Sequence, residues 1–258
     1  MARSGLNVQS ATINALFFRE IRTRFGKFRL GYLWAILEPS AHLLILMAIF
    51  GFIMHRTMPD ISFPVFLLNG IIPYFIFSNI STRSLGVIDA NQGLFNYRPV
   101  KPIDTVLARA MLETIIYVTV YIFLMLIVWA AGEYFSVANL LQLVGAWSLL
   151  IIFSCGAGLI FMVIGKTYTE TQKLLPILLK PLYFISGIMF PLHAVPKDYW
   201  PFLLWNPLLH VVELSRAAVM PGYSSEGVSL IYLAILTLTT LFLGLAIYRT
   251  REEAMLTS

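Results

Sequence analysis

Charge is scarce in this chain. Only 12% of its 258 residues are Asp, Glu, Lys or Arg, against roughly a quarter in ordinary soluble domains. A soluble protein of this length can bury a large core, but it still needs a polar surface, and there is too little polar material here to make one. Cysteine is scarcer still. Cys155 stands alone inside an apolar run, which excludes an internal disulfide framework and a multi-thiolate metal site and leaves it as a small buried residue. The four histidines, His42, His55, His193 and His210, are scattered. There is no H-E-x-x-H and no G-x-S-x-G. Gly165-Lys166-Thr167 resembles the end of a phosphate-binding loop, but Ile160 stands where the first glycine belongs and no strand precedes it, so ATP binding of that kind is excluded.

What is abundant is apolar. Hydrophobic residues make up 59% of the chain, and the mean hydropathy is +0.80. The excess has to face lipid. The first 32 residues are basic, with no small-x-small cleavage pattern, so the expectation is a chain inserted whole, its first apolar helix acting as an anchor. Six segments are long and apolar enough to span: Leu33–Met54, Phe63–Ser81, Thr114–Ala131, Leu140–Ile164, Leu174–Phe190 and Ser229–Ile247. The expected fold is all-α and polytopic, one domain over 1–258. Residues 1–32 form a cytoplasmic interface helix, 33–247 the six-span bundle and 248–258 a cytoplasmic tail.

Orientation follows from Lys and Arg in the connections. Of 18 such residues, 14 fall in the N-terminal segment, the second and fourth connections and the tail. Arg56, Lys197 and Arg216 fall on the opposite side, and Lys180 lies within a span. An even number of spans then puts both termini in the cytoplasm. The net charge of +5 is therefore a matter of topology, and nucleic acid is not an expected partner.

Several features stand out. Ile13, Phe17, Ile21, Phe25 and Phe28 recur at helical spacing, with Arg19, Arg22 and Arg29 opposite. Such a helix lies in the membrane interface, its arginines towards anionic headgroups, either as a platform for a partner or as a plain anchor. On the cytoplasmic side, Tyr97, Arg98, Pro99, Val100, Lys101, Pro102 and Asp104 form a compact, proline-fixed run, suited to docking another protein. Between 191 and 228 the outer connection is too long for a turn and too apolar for a free loop, which points to short or re-entrant helices. Trp200 and Trp205 read as belt residues at its interface.

Within the spans, Glu38 and His42 in the first and Lys180 in the fifth carry ionisable groups to a depth that costs roughly 2.5–3.5 kcal/mol per charge. Glu38 and Lys180 reach similar depth. They either pair, snorkel to the interface, or line a path along which Lys180 attracts an anionic substrate. Trp34, Tyr183 and Phe184 lie beside them, and aromatic faces suit sugar rings. Ser154, Gly156 and Gly158 allow close helix approach.

The run Arg19-Glu20-Ile21-Arg22-Thr23-Arg24-Phe25, followed by Leu30-Gly31-Tyr32-Leu33-Trp34-Ala35 and Glu38-Pro39, resembles the N-terminal signature of ABC-2-type exporter permeases. Asn206-Pro207-Leu208 with His210, Glu213 and Arg216 resembles their outer-loop motif. The Tyr97–Asp104 run and the tail Tyr248-Arg249-Thr250-Arg251-Glu252-Glu253 are similar to the capsule-polysaccharide branch. The resemblance covers essentially the whole chain. It implies a homodimer of six-span subunits in the bacterial inner membrane, paired with two cytoplasmic ATPase subunits. ATP and Mg would then bind the ATPase, with no cofactor on this chain. It further implies a lipid-linked acidic polysaccharide as cargo, Tyr97–Asp104 as the coupling helix, gate helices within Pro191–Gly222, and a periplasmic co-polymerase-type protein and an outer-membrane channel as partners. An exporter of O-antigen or another lipid-linked glycan is the alternative. A secondary transporter would carry more intramembrane carboxylates or an inverted repeat. A membrane glycosyltransferase would carry paired acidic residues at a nucleotide-sugar site, and the loops here are basic and short.

Overall fold

The computed structural model describes residues 5–25, 31–57, 62–95 and 100–257, and among them there is no strand. Nine α-helices follow in order among the described residues. They are α1 (Gly5–Phe25), α2 (Gly31–Thr57), α3 (Phe63–Leu85), α4 (Val87–Asn91), α5 (Pro102–Ala130), α6 (Leu140–Thr167), α7 (Thr171–Ile185), α8 (Pro207–Val219) and α9 (Leu230–Thr257). Short 3-10 turns at Leu192–Ala194 and Lys197–Phe202 lie between α7 and α8.

Local chemistry sets the ends of these helices. Pro102 opens α5 with its φ already helical and no amide proton to leave orphaned, and the Asp104 carboxylate accepts the Lys101 amide at 3.1 Å. Asn139 caps α6 by accepting the Gln142 amide, and Asn206 caps α8 by accepting the Leu208 amide, with Pro207 in the first turn. Such caps satisfy amides that a helix cannot satisfy itself.

Among the described residues four helices, α3, α5, α6 and α9, are long and apolar enough to cross a membrane. The other two expected spans differ in kind. The 27 residues of α2 run about 40 Å, but its described apolar stretch is Ile36–Phe50. The 15 residues of α7 run about 22 Å, short of a core roughly 30 Å thick. Expected to continue to Phe190, α7 stops at Ile185 because Gly187 adopts φ +69°, a left-handed conformation that ends a helix.

Burial separates centre from rim. In α3, 83% of the spanning window is buried, against 17% in α9, so α3 is the post around which α2, α5, α6, α7 and α8 pack and α9 is an outer stave. Where α9 meets α6 the backbones touch: a Cβ on Gly156 would lie 2.8 Å from the Leu241 backbone. Gly158 faces the other way, towards Ser84 of α3. Gly165 is likewise pressed against the Leu85 backbone in the last turns of α6.

Candidate functional site

The structure brings six of the residues singled out above into one groove. Trp34, Glu38 and His42 recur every four residues along one face of α2, and Lys180, Tyr183 and Phe184 stand on the last turns of α7. Tyr74 and Phe75 of α3 form the floor, and the volume is about 1270 Å³. The lining is apolar apart from the two charged groups and a few ring and hydroxyl atoms. His42 Nε2 shares a 2.7 Å hydrogen bond with the Tyr183 hydroxyl. The Tyr183 ring meets Tyr74 edge-on at 4.9 Å, and the Tyr74 hydroxyl donates to the Leu179 carbonyl. These contacts tie α2, α3 and α7 together at the groove floor and leave its mouth lined by Trp34 and Phe184, both more than half exposed. Glu38 and Lys180 line the same groove but form no ion pair with each other among the described residues. Lys180 is exposed.

At the α8 end of the bundle, the sequence-nominated polar residues are buried in a knot. Arg216 is 0% exposed. Its Nη1 donates to the Gly187 carbonyl at 2.7 Å and to Glu213 Oε1 at 2.9 Å, and its Nη2 donates to the Ile188 carbonyl at 2.9 Å. The guanidinium lies 3.4 Å over the Phe66 ring, in space that Gly70 leaves by having no Cβ. The Tyr223 hydroxyl donates to both Glu213 oxygens at 3.0 Å, and burial holds that phenol above its ordinary range, so it stays a donor. A planar fork of five donors is what the frayed carbonyls after α7 need. His210 lies between two backbone groups, with Nε2 2.8 Å from the Leu204 carbonyl and Nδ1 accepting the Ser229 amide. Asn206 donates to the Ser186 hydroxyl. These residues hold irregular backbone together at this end. Trp200 departs from the belt expectation: it is 8% exposed, and its indole N–H donates to the Val195 carbonyl. Trp205, 56% exposed, does face outward.

At the opposite end, α1 differs from a simple two-faced helix. Among its described residues only Leu16 and Phe25 are buried apolar groups, and Phe18 is exposed. Two of its arginines also make contacts within the protein. Arg19 donates to Asn91 of α4 at 2.6 Å, and Arg24 to Glu113 of α5 at 2.5 Å. Arg22 is exposed and Phe17 half-buried, while Phe28 and Arg29 lie outside the described residues. In the docking run, Tyr97, Arg98 and Pro99 also lie outside the described residues. Lys101 is exposed, but Asp104 and Pro102 are buried. Asp104 is 1% exposed and is engaged by Gln9 of α1 as well as by the α5 cap, so it braces the run from below.

Sequence reasoning missed Glu20, Arg83, Arg109 and Glu113 as a site. Arg109 Nε lies 2.9 Å from Glu20, and Arg83 Nε lies 2.9 Å from the Glu113 oxygen that Arg24 also holds. The signal was present: Glu20 and Arg24, and Arg109 and Glu113, are opposite charges one helical turn apart. The tail that the resemblance singled out is the C-terminal part of α9, continuous with the span. Tyr248 and Met255 pack with Val87 and Ile88 of α4 and Val106 of α5, so this tail supports the docking run. Among the described residues no group of three His, Cys, Asp or Glu side chains could hold a metal ion.

The ABC-2 type transporter family model matches residues 11–220. Over its full length the chain is 80% identical to the whole of the polysialic acid transport protein KpsM of Escherichia coli. It is 29% identical to the capsule polysaccharide export inner-membrane protein CtrC of Neisseria meningitidis serogroup A, with 94% of this chain and 91% of the relative covered. To the O-antigen export system permease protein RfbA of Klebsiella pneumoniae it is 24% identical, with 89% of this chain and 88% of the relative covered. A match over most of the chain, in line with the N-terminal and Asn206–Arg216 motifs, places it plainly: this protein belongs to the ABC-2 type transporter family.

Proposed function

We propose that this chain is the membrane permease of an ATP-driven exporter that moves a lipid-linked acidic capsular polysaccharide from the cytoplasm to the periplasm. What carries the reading is 80% identity over the full length with a polysialic acid transport protein. The same observation favours capsular polymer over O-antigen, since the O-antigen permease stands at 24%. The permease acts as a homodimer of six-span subunits in the bacterial inner membrane, with both termini in the cytoplasm. Two separate ATPase subunits bind ATP and Mg and hydrolyse the nucleotide, and they dock on the segment around 97–104 and on α1. In this arrangement α2, and α7 together with the non-helical backbone that follows it to 190, complete the six spans, and the segment 191–222 with α8 re-enters the membrane from the periplasmic side.

The groove between α2 and α7 supports a place for cargo. It joins a large apolar lining to an exposed cation, Lys180, with the Glu38 carboxylate in the same lining, and to aromatic rings at its mouth. A polymer of anionic sugars on a lipid presents the same pair of chemistries. ATP-driven closure of the ATPase pushes on the docking segments and opens this face at the dimer interface. A periplasmic co-polymerase-type protein and an outer-membrane channel continue the route.

Deleting the gene in its native organism tests this. Surface polysaccharide should disappear while polymer accumulates inside the cell. Unchanged surface polymer with no internal accumulation would show that the cargo is something else.

A further inference from the structure

The four charges that join α1 to α5 are arranged as a ladder with alternating rungs. Glu20 of α1 faces Arg109 of α5 at 2.9 Å, and one turn on, Arg24 of α1 faces Glu113 of α5 at 2.5 Å. The polarity is opposite on the two rungs. If α1 slid by one turn, about 5.4 Å, either Arg24 would face Arg109 or Glu20 would face Glu113. Both displacements replace attraction with repulsion between half-buried or buried groups. The ladder therefore specifies register as well as holding on.

Little else fixes that register. Only Leu16 and Phe25 of α1 are buried apolar side chains among its described residues. Two further ties of α1 are polar too, from Gln9 to Asp104 and from Arg19 to Asn91. The ladder is also tied to a third helix. Arg83, in the last turn of α3, lies 2.9 Å from the Glu113 oxygen that Arg24 holds, near enough for attraction though misaligned for a hydrogen bond. Arg109 donates to the Arg83 carbonyl, one of the carbonyls that a helix end leaves without a partner. Glu113 is 1% exposed, and its second oxygen has no hydrogen-bond partner among the described residues.

We infer that the Glu20–Arg109 and Arg24–Glu113 ladder is a register lock that makes α1 and α5 move as one lever, so that a push on α1 reaches the spans without being lost as sliding. These are positioning residues, and the inference rests on the reading of α1 as part of the ATPase-docking face. Reciprocal charges set which alignment is allowed and penalise the others.

The lock can be removed while the pairing is kept. In Glu20→Arg/Arg109→Glu, both α1 residues are cationic and both α5 residues anionic. Each rung still pairs and the cluster's net charge is unchanged, but a one-turn slip now also brings opposite charges together. The single Glu20→Arg should lower the thermal midpoint of the purified permease–ATPase complex and abolish most export. The double variant should restore most of the midpoint, short of wild type by the lost Arg109 bond to the Arg83 carbonyl, and hydrolyse ATP within about twofold of wild type, yet show at least fivefold less surface polysaccharide per ATPase activity in the deletion strain. A second variant, Glu20→Gln/Arg109→Gln, replaces one rung by neutral hydrogen-bonding groups and should show the same uncoupling to a smaller degree. Export per ATP at the wild-type level in both double variants overturns the register lock. So does a Glu20→Arg/Arg109→Glu complex that fails to regain most of its midpoint, because the rungs are then not interchangeable pairs. Wild-type export is the separate control: if the wild-type chain moves no polysaccharide, it is the proposed function that fails.

Discussion

The two ends of the bundle each hold an arginine–glutamate assembly, and they are built on opposite principles. At the α8 end, Arg216 and Glu213 come from one helix, are three residues apart, and are 0% and 1% exposed. The Arg216 fork is used on three carbonyls, those of Phe66, Gly187 and Ile188, and on a carboxylate, and the second Glu213 oxygen is taken by Tyr223. At the α1 end, the partners come from three helices and are 89 residues apart along the chain in both rungs. Arg83 is 38% exposed there, and one Glu113 oxygen is unpartnered among the described residues. The first assembly closes a gap in the backbone and has one arrangement. The second joins elements that pack against one another with little apolar grip. A saturated buried pair is a strut, whereas an unsaturated pair between helices is a joint.

The sharpest way to break the comparison is at the strut. Arg216→Met keeps much of the volume but strips the carbonyls of Gly187 and Ile188 of their donors and leaves Glu213 buried without its counter-charge. Breaking a buried pair by removing one partner costs about 3–5 kcal/mol, a large share of the stability of most folds. The expected outcome is loss of monodisperse protein on size-exclusion chromatography in detergent, with Arg216→Lys also failing because the three donors of an ammonium cannot replace a planar fork that serves four acceptors. A well-behaved Arg216→Met protein would remove the strut assignment.

At the joint the same kind of truncation should do less. Arg24→Ala leaves Glu113 beside Arg83, so the carboxylate keeps a counter-charge. The loss is one charge-assisted hydrogen bond, about 2 kcal/mol, and the thermal midpoint should fall without loss of folded protein. A smaller change still is Tyr223→Phe, which removes one neutral donor from Glu213 while Arg216 remains. About 1 kcal/mol is expected, read as a modest shift in the same melting measurement. If Tyr223→Phe were as damaging as Arg216→Met, the carboxylate and not the frayed carbonyls would be the centre of the knot.

The helices were legible in the sequence because apolar runs and 3.6-residue periodicity are local. The groove residues on α2 and α7 were legible for a related reason: an ionisable group in an apolar run is conspicuous wherever it folds. Other features were hidden because they depend on contacts across the chain. The start of α5 lies twelve residues before the expected span, since Arg109 and Glu113 interrupt apolarity but do not interrupt a helix. The stop of α7 depends on the backbone of Gly187, and a glycine alone does not announce a left-handed turn. Trp200 looked like a belt residue because tryptophan favours interfaces; it is instead buried, with Gly227 pressed against its ring. Arg216 was singled out by a motif, but nothing local shows that its partners are carbonyls 28 and 29 residues away.

Lys180 provides the smallest expected effect on stability, and it sharpens the contrast from the other side. It is a cation like Arg216, on the helix whose trailing carbonyls Arg216 holds, but it is exposed and has no ion pair among the described residues. Lys180→Ala therefore removes no bond, and the stability change should stay within about 0.5 kcal/mol, as for surface substitutions away from any buried network. If the groove carries an anionic polymer, the same substitution should lower surface polysaccharide severalfold while leaving the amount of ATPase that co-purifies unchanged. Lys180→Arg, which keeps the charge, should retain most export. Stability and function thus separate at this position and coincide at Arg216, because a charge that the fold has left unpaired is available to something that is not part of the fold. Normal export by a well-expressed Lys180→Ala protein would take Lys180 out of the path.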